Sequence, residues 1–587
     1  MSQRPTTVES DVLVIGGGIA GTFAAIKARE TGVSVVQVDK GRVGKSGCSA
    51  FAAGVMFVYV PSEDNLDDWF AAEVRHRGYL VRQDRLQVYF EQVYGIFQEM
   101  ESFGIKFLRN PDGKLHRDKG RGRFPLIKFP GLQLMDLIAK TARTRGVKQA
   151  NRIMVTDLLT QNQTITGAVG FEVTSGQLFI FKAKATILAT GSTQYKGLSP
   201  GHRDCTGDGY AMAYRAGAVL SGADANDIAY NAFPARYDIG PGMNMFVGQG
   251  GRLVNSQGER FMPKYHPTLA ERSPLNTLAQ AFSLEVMQGH APIYMDMTHF
   301  TPEQVRQMKV VLPLTMEMYE QVGIVSGDRF VKPIEWMITA PYGRAGLKTG
   351  SDQQSTLEGL YVCGEAAEMQ SFASGLPSCA VSGAAAGRAA AQYALQAPSQ
   401  IAVPAGTIKA LQERALAPLK KKTGPEPDQV ILALLETIVP FDVLAIRHGD
   451  RMKKALEKLE DLKRNSAPFM PAYDSHYLKT VHEVGNMVFT AECQLRSAIF
   501  REESRMAARE DYPFTDNDDW LQWIDIQKDG GKMALSKEKV PIEHYKLKPE
   551  RGKTLFRIWD TAQRLGLMTI QDGRVSWGND IIQPNRK

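Results

Sequence analysis

The stretch Asp11–Gly21, DVLVIGGGIAG, restricts the fold more than any other part of the chain. Val12, Leu13, Val14 and Ile15 form a short apolar run of the kind buried on both faces of a parallel sheet. Gly16, Gly18 and Gly21 then spell GxGxxG, and Thr22–Ala28 continues as a good helix former. Between a strand and a helix, three such glycines serve a tight turn, close approach of backbone to a pyrophosphate, and close helix–strand packing. Phosphate charge sits on the unpaired N–H groups at the start of the helix. A second strand, Val33–Val38, ends in Asp39, 23 residues after Gly16, where a carboxylate accepts hydrogen bonds from a ribose. A glycine-rich turn in an ordinary α/β protein is the competing reading. The helix, the second strand and the acid weigh against it.

Downstream segments add to this site. Gly41–Met56, GRVGKSGCSAFAAGVM, is rich in small residues and lets backbone approach a flat ligand, with Ser46, Gly47 and Gly54 as candidate contacts. Lys40, Arg42 and Lys45 offset pyrophosphate charge in this reading, or form a solvated basic loop. ATILATGS is a buried strand running into Ala189–Thr190–Gly191, and DCTGDGYAMAYRAGA places Asp208 just before a small-residue helix. LEGLYVCGEAAE is a further strand, ending in Gly364–Glu365, where an acid binds cofactor hydroxyls. The segment from Ser374 to Leu395 supplies small residues, Cys379 and Ala380 among them, and then a helix whose dipole is aimed at the ligand.

At 587 residues the chain holds three or four folding units, at about 150 residues each. A hydrophobic fraction of 43% and a charged fraction of 23% describe an ordinary globular protein. The net charge of +7 suits anionic cofactors, substrates or an acidic partner, and no aromatic-interleaved basic stripe argues for nucleic acid. Cys48, Cys205, Cys363, Cys379 and Cys493 are far apart in sequence with no CxxC, so no cubane cluster, zinc site or disulfide framework is expected. Cys48 and Cys379 lie near the ligand in this reading and are taken as structural thiols. The N-terminus lacks a signal-peptide core and no apolar run approaches 18 residues, so a cytoplasmic protein without a membrane span is expected.

Together these segments resemble the flavoprotein family of fumarate reductase, succinate dehydrogenase, aspartate oxidase and adenylylsulfate reductase. Further carriers of the likeness are LVNSQGERFM (Leu253–Met262) and AECQLRSAIFREESRMAAREDYP (Ala491–Pro513). FPARYDIGPG (Phe233–Gly242), GHAPIYMDM (Gly289–Met297) and SFASGLPSCAVSGAAAGR look most like the adenylylsulfate reductase α subunit. The resemblance implies an α/β protein: a Rossmann-like FAD-binding domain (1–225 and 339–400) interrupted by an α+β capping domain (226–338). A linker (401–427), a helical bundle (428–515) and a C-terminal hairpin with a polar tail (516–587) follow. It also implies FAD, held without a covalent bond, because Ser46–Gly47–Cys48 stands where membrane-bound members carry the linking histidine.

The substrate residues of the family are not intact. Pro341–Gly346 replaces the fumarate reductase HYxMGG segment, and the arginine of its GANRLGG segment falls near Ser374. The proton-donating arginine of the cap helix falls near Leu275, one turn after Arg272, and the adenylylsulfate reductase arginine near Leu278. Since both chemistries bind anions, Arg236, Arg272 and Arg344 are candidate substrate contacts, with Tyr342 and His266 as proton donors or orienting groups. Three functions are open. One is an FAD oxidoreductase subunit exchanging electrons between a small anion and a ferredoxin-like iron–sulfur subunit. Another is a self-sufficient reductase or oxidase of an organic acid, and the third an FAD-holding electron-transfer subunit with no substrate of its own. An oligomer is compatible with each.

Overall fold

The computed structural model describes residues 4–120, 124–197, 202–224, 227–232, 243–342, 346–368, 375–397, 403–579 and 581. Strand β1 (Thr6–Ile15) is central to a seven-stranded sheet. Helix α1 (Ile19–Glu30) leads to β2 (Val35–Asp39), which pairs parallel with β1, and β3 (Lys148–Asn151) pairs parallel with β2. An antiparallel pair follows, β4 (Ile153–Gln161) and β5 (Thr164–Glu172). Strand β6 (Leu178–Leu188) runs parallel to β1 along its whole length, while β5 pairs with its first half. As the apolar run requires, β1 is buried on both faces. Val12 and Val14 pack with Phe23 and the α1 side, and Leu13 and Ile15 with Tyr210 and Met212 of α2 (Asp208–Ala216) on the other.

The chain then leaves the sheet for the cap. Strands Asp227–Ala232, Arg252–Val254, Ile293–Asp296 and Ile334–Tyr342 form a four-stranded antiparallel sheet. Helix α3 (Leu275–Met287) lies in this cap's core. The last cap strand runs past the expected boundary at 338, because Tyr342 still pairs with Asp227. Back in the dinucleotide fold, β7 (Leu360–Val362) takes the place that β5 vacates beside the end of β6. Helix α4 (Gly375–Gln396) then packs on α1 at near-backbone distance. A Cβ on Gly383 or Gly387 would stand 2.2 Å from the carbonyl oxygen of Ala20 or Ala24.

The expected linker and the expected end of the bundle differ as well. The region 401–427 is not a plain linker, since the helix Ala405–Leu416 docks beside β5, with Arg414 pairing with Asp157 of β4. Helices α5 (Pro427–Ile438), α6 (Gly449–Asp461) and α7 (Ser475–Phe500) form the expected bundle, and α7 stops at Phe500, short of the bundle's expected end at 515. Beyond it Arg501, Arg505 and Arg509 are buried and need acids and carbonyls that a helix would not bring to them. Arg501 binds Asp224 and Glu503, Arg505 binds Glu503, and Arg509 binds Asp511.

The C-terminal region is less tail-like than its polarity implies. The hairpin of β8 (Gln522–Asp529) and β9 (Lys532–Lys539) joins Leu220–Ser221 and Gly346–Leu347 in one sheet. Helix α8 (Arg557–Arg564) buries Ile558, Trp559 and Ala562 in the core of the cap. No described helix is long and apolar enough to cross a membrane.

Candidate active site

The C-terminal ends of β1, β2, β6 and β7 share one edge of the sheet, the position at which open α/β sheets bind ligands. Gly16 turns there at φ +122°, and a side chain on it would meet the Ala189 carbonyl oxygen at 2.1 Å. A Cβ on Gly21 would stand 2.2 Å from the Gly16 oxygen, so this glycine sets how closely α1 follows β1. Helix α1 begins at Gly18 with no side-chain cap and no acid in its own first turn. Ser49 Oγ accepts the Ile19 N–H at 3.2 Å.

Asp39 organises the second loop. Its Oδ2 accepts the Gly17 N–H, and its Oδ1 accepts the Gly41 N–H and the Ser46 hydroxyl, all at 2.7 Å. A carboxylate has about four lone-pair sites, so acceptor capacity is left for a ribose. Gly47, at φ +74°, has no atom within 4 Å of where its Cβ would be. Gly54 serves packing, with a Cβ position 2.5 Å from both the Phe129 oxygen and Val311 of the cap.

The segment after β6 lies alongside. The buried atoms Thr190 Oγ1, Thr193 Oγ1 and Gln194 Oε1 have no hydrogen-bond partner among the described residues. Glu365, after β7, accepts the Ser192 hydroxyl at 2.9 Å, and its backbone oxygen accepts the Tyr210 hydroxyl at 2.5 Å. Cys379 and Ala380 are in the second turn of α4. Ser374 lies outside the described residues.

Lys40 and Asp208 take a different part from the one their positions in sequence imply. Lys40 Nζ lies 2.8 Å from Asp208 and 2.7 Å from Glu483 of α7. Burial works against its charge, but the two carboxylates outweigh it and hold the ammonium above its usual range. Asp208 also accepts the Asn486 amide at 2.9 Å. Their charges thus tie α2 and α7 to the β2 loop. Sequence position alone could not show this, because the partner acid lies hundreds of residues away.

Of the candidate substrate residues, His266 and Arg272 have described side chains. Arg236 and Arg344 are outside the described residues, and Tyr342 is placed only as a strand position opposite Asp227. His266 does not stand open as a proton donor. Its ring nitrogens face the Leu269 N–H at 3.2 Å and Arg557 of α8 at 2.5 Å, and burial and the Arg557 charge push its pKa down. Arg272 ends the turn Ala270–Arg272 before α3 and is half-buried. Its neighbour Glu271 is held by Arg260, and among the described residues no carboxylate pairs with Arg272. Sequence reading missed Arg557, Thr193, Gln194 and Glu483, none of which carries a motif.

A glycine-turned strand–helix junction, an acid ending the second strand with acceptor capacity left over, and unsatisfied polar atoms on a third loop fit FAD. Residues 11–381 match the FAD binding domain family and residues 433–554 the fumarate reductase flavoprotein C-terminal family. The chain belongs to the FAD-dependent flavoprotein family of fumarate reductase and succinate dehydrogenase. It is 30% identical to an uncharacterized FAD-dependent oxidoreductase of Methanocaldococcus jannaschii, over 90% of this chain and 98% of that one. It is 27% identical to one subunit of the CoM/CoB fumarate reductase of Methanothermobacter marburgensis, over 86% of this chain and 95% of that one. Among solved structures, adenylylsulfate reductase of Archaeoglobus fulgidus shares the fold at a TM-score of 0.79 and 23% identity, covering 92% of this chain and 98% of its own.

Proposed function

We propose that this FAD-dependent oxidoreductase is a flavoprotein subunit that moves electrons between a small anionic substrate and a separate iron–sulfur partner. FAD supplies the two-electron chemistry; the protein must hold the anion, exclude water and manage protons. Arg272 carries the reading of the substrate side. A half-buried guanidinium on the cap, with no acid paired to it among the described residues, favours an incoming anion. The partner is supported by the relatives, several of which are named as subunits of an enzyme rather than as whole enzymes.

Conventional dicarboxylate turnover is not expected, since the family histidine and one arginine are replaced by Pro341 and Ser374. Losing one charged hydrogen bond to a buried carboxylate costs roughly 2–5 kcal/mol, and two losses compound. Purification of the chain from its own cells tests the partner. A co-purifying protein carrying iron and acid-labile sulfide is the expected result; a yellow single-chain enzyme with full turnover on an artificial donor overturns it. Fumarate-dependent reoxidation of the reduced flavin at about 10 per second, an ordinary enzymatic rate, would rule out the substrate reading.

A further inference from the structure

Two thiols distant in sequence meet at the ligand edge of the sheet. Cys48 opens the short turn Cys48–Phe51 after β2, and Cys205 lies in the loop between β6 and α2, with the two sulfurs 3.2 Å apart. Neither is in a disulfide. Cys205 is buried, its Sγ 3.7 Å from where Gly191 would carry a Cβ. Cys48 is half-buried and follows Gly47, whose absent side chain faces open space. The Gln194 amide nitrogen stands 4.0 Å from the Cys48 sulfur. A disulfide bond is about 2.05 Å long, so closure requires an approach of roughly 1 Å, on the scale of a small side-chain rotation. Cys363 and Cys493, by contrast, are fully buried in hydrophobic cores.

We propose that Cys48 and Cys205 form a thiol–disulfide exchange site beside the FAD-binding loops, with a low-molecular-weight disulfide as oxidant. Cys48, the less buried residue of the two, gives up its proton and attacks one sulfur of the incoming disulfide. A mixed disulfide forms and one small thiolate leaves, taking up that proton. Cys205 then gives up its proton and attacks the Cys48 sulfur. The mixed disulfide breaks, and the second small thiolate leaves as a thiol. The two cysteines lose two electrons and two protons in all, and the small disulfide becomes two thiols. This provides the chain with a two-electron couple made of its own residues, separate from the flavin.

The test uses the purified full-length chain equilibrated in glutathione buffers from fully reduced to fully oxidised. Samples are quenched in acid, alkylated under denaturing conditions and weighed intact. The number of alkylated thiols should fall from five to three in one step, with a Cys48–Cys205 cross-linked peptide recovered. The step should be absent in C48S and in C205S and present in C363S. Five alkylated thiols at every poise, a persistent glutathione adduct in place of the cross-link, a cross-link to Cys379, or a step that survives in C48S overturns the proposal. The wild-type peptide map decides the matter even where a serine variant folds poorly. Thiols are counted by mass, so the result stands or falls independently of whether an iron–sulfur partner exists.

Discussion

Asp39 holds three donors of its own loops and keeps acceptor capacity for the ribose proposed beside it, so its loss would act on the site in two ways. Asp39→Ala removes a charged acceptor from the cofactor and leaves the Gly17 and Gly41 amides to find water. A hydrogen bond to an ionised group contributes roughly 1.5–3 kcal/mol, so FAD affinity should fall about ten- to a hundredfold. Glu365→Ala should act in the same direction. Flavin dissociation constants unchanged in both variants would show that the site is elsewhere. Acid precipitation should release the flavin from the wild-type chain, since the family resemblance puts Gly47 at the linking position; flavin remaining with the pellet would refute non-covalent binding. The glycines and Asp39 were legible because conformation and charge at a fixed spacing are local properties. The Cys48–Cys205 approach and the Lys40–Glu483 pair were not, because each depends on loops that only the folded sheet brings together.

At the scale of the element, Glu483 shows how α7 is held to the dinucleotide fold. It is fully buried; burial alone would raise its pKa, but the charges of Lys40, Lys196 and Lys479 outweigh this and lower it to about 2. A carboxylate so depressed contributes stability that is present above its unfolded pKa of about 4.3 and is lost as pH falls toward the folded value. Glu483→Gln should therefore lower thermal stability strongly at pH 7, on the order of 3–5 kcal/mol for a broken buried pair. The gap between variant and wild type should narrow only below about pH 4.5, where the unfolded wild-type chain takes up a proton that the folded carboxylate does not bind until about pH 2. Melting temperatures that differ equally at pH 7 and pH 3 would contradict this. The bundle itself was expected over 428–515. The end of α7 was not, since helix-forming residues continue past Phe500 while the buried ion pairs of Arg501 and Arg505 pull the backbone out of the helix.

At the scale of the molecule, the chain joins the dinucleotide fold to the cap through Leu220–Ser221 on the way out and Gly346–Leu347 on the way back. These segments pair with each other, Leu220 opposite Leu347, and β8 covers the outer edge, with Ile526 opposite Leu220. Lys348 adds ion pairs of 2.6 Å to Asp525 of β8 and Glu538 of β9, so the C-terminal hairpin fastens both connections. From the same region α8 inserts Ile558, Trp559 and Ala562 into the cap core. Polar neighbours in RIWDTAQR hide that apolar face, and the segment reads as a tail in sequence. The cap is thus held to the rest of the chain by residues that follow both domains. Trp559→Ala should cost about 3–5 kcal/mol, as for other buried tryptophans, and should loosen the cap before the sheet. Ending the chain at Thr515 removes α8 and the hairpin together. Hydrogen exchange should then lose protection at Leu220–Ser221, at Gly346–Leu347 and along α3, while β1 and β2, paired within the parallel sheet, keep theirs. Protection at the two connections equal to that of the full chain would mean that they hold without the hairpin. Uniform loss across β1 and β2 as well would mean that the cap and sheet unfold as one unit, and either result refutes a cap fastened from the C-terminus.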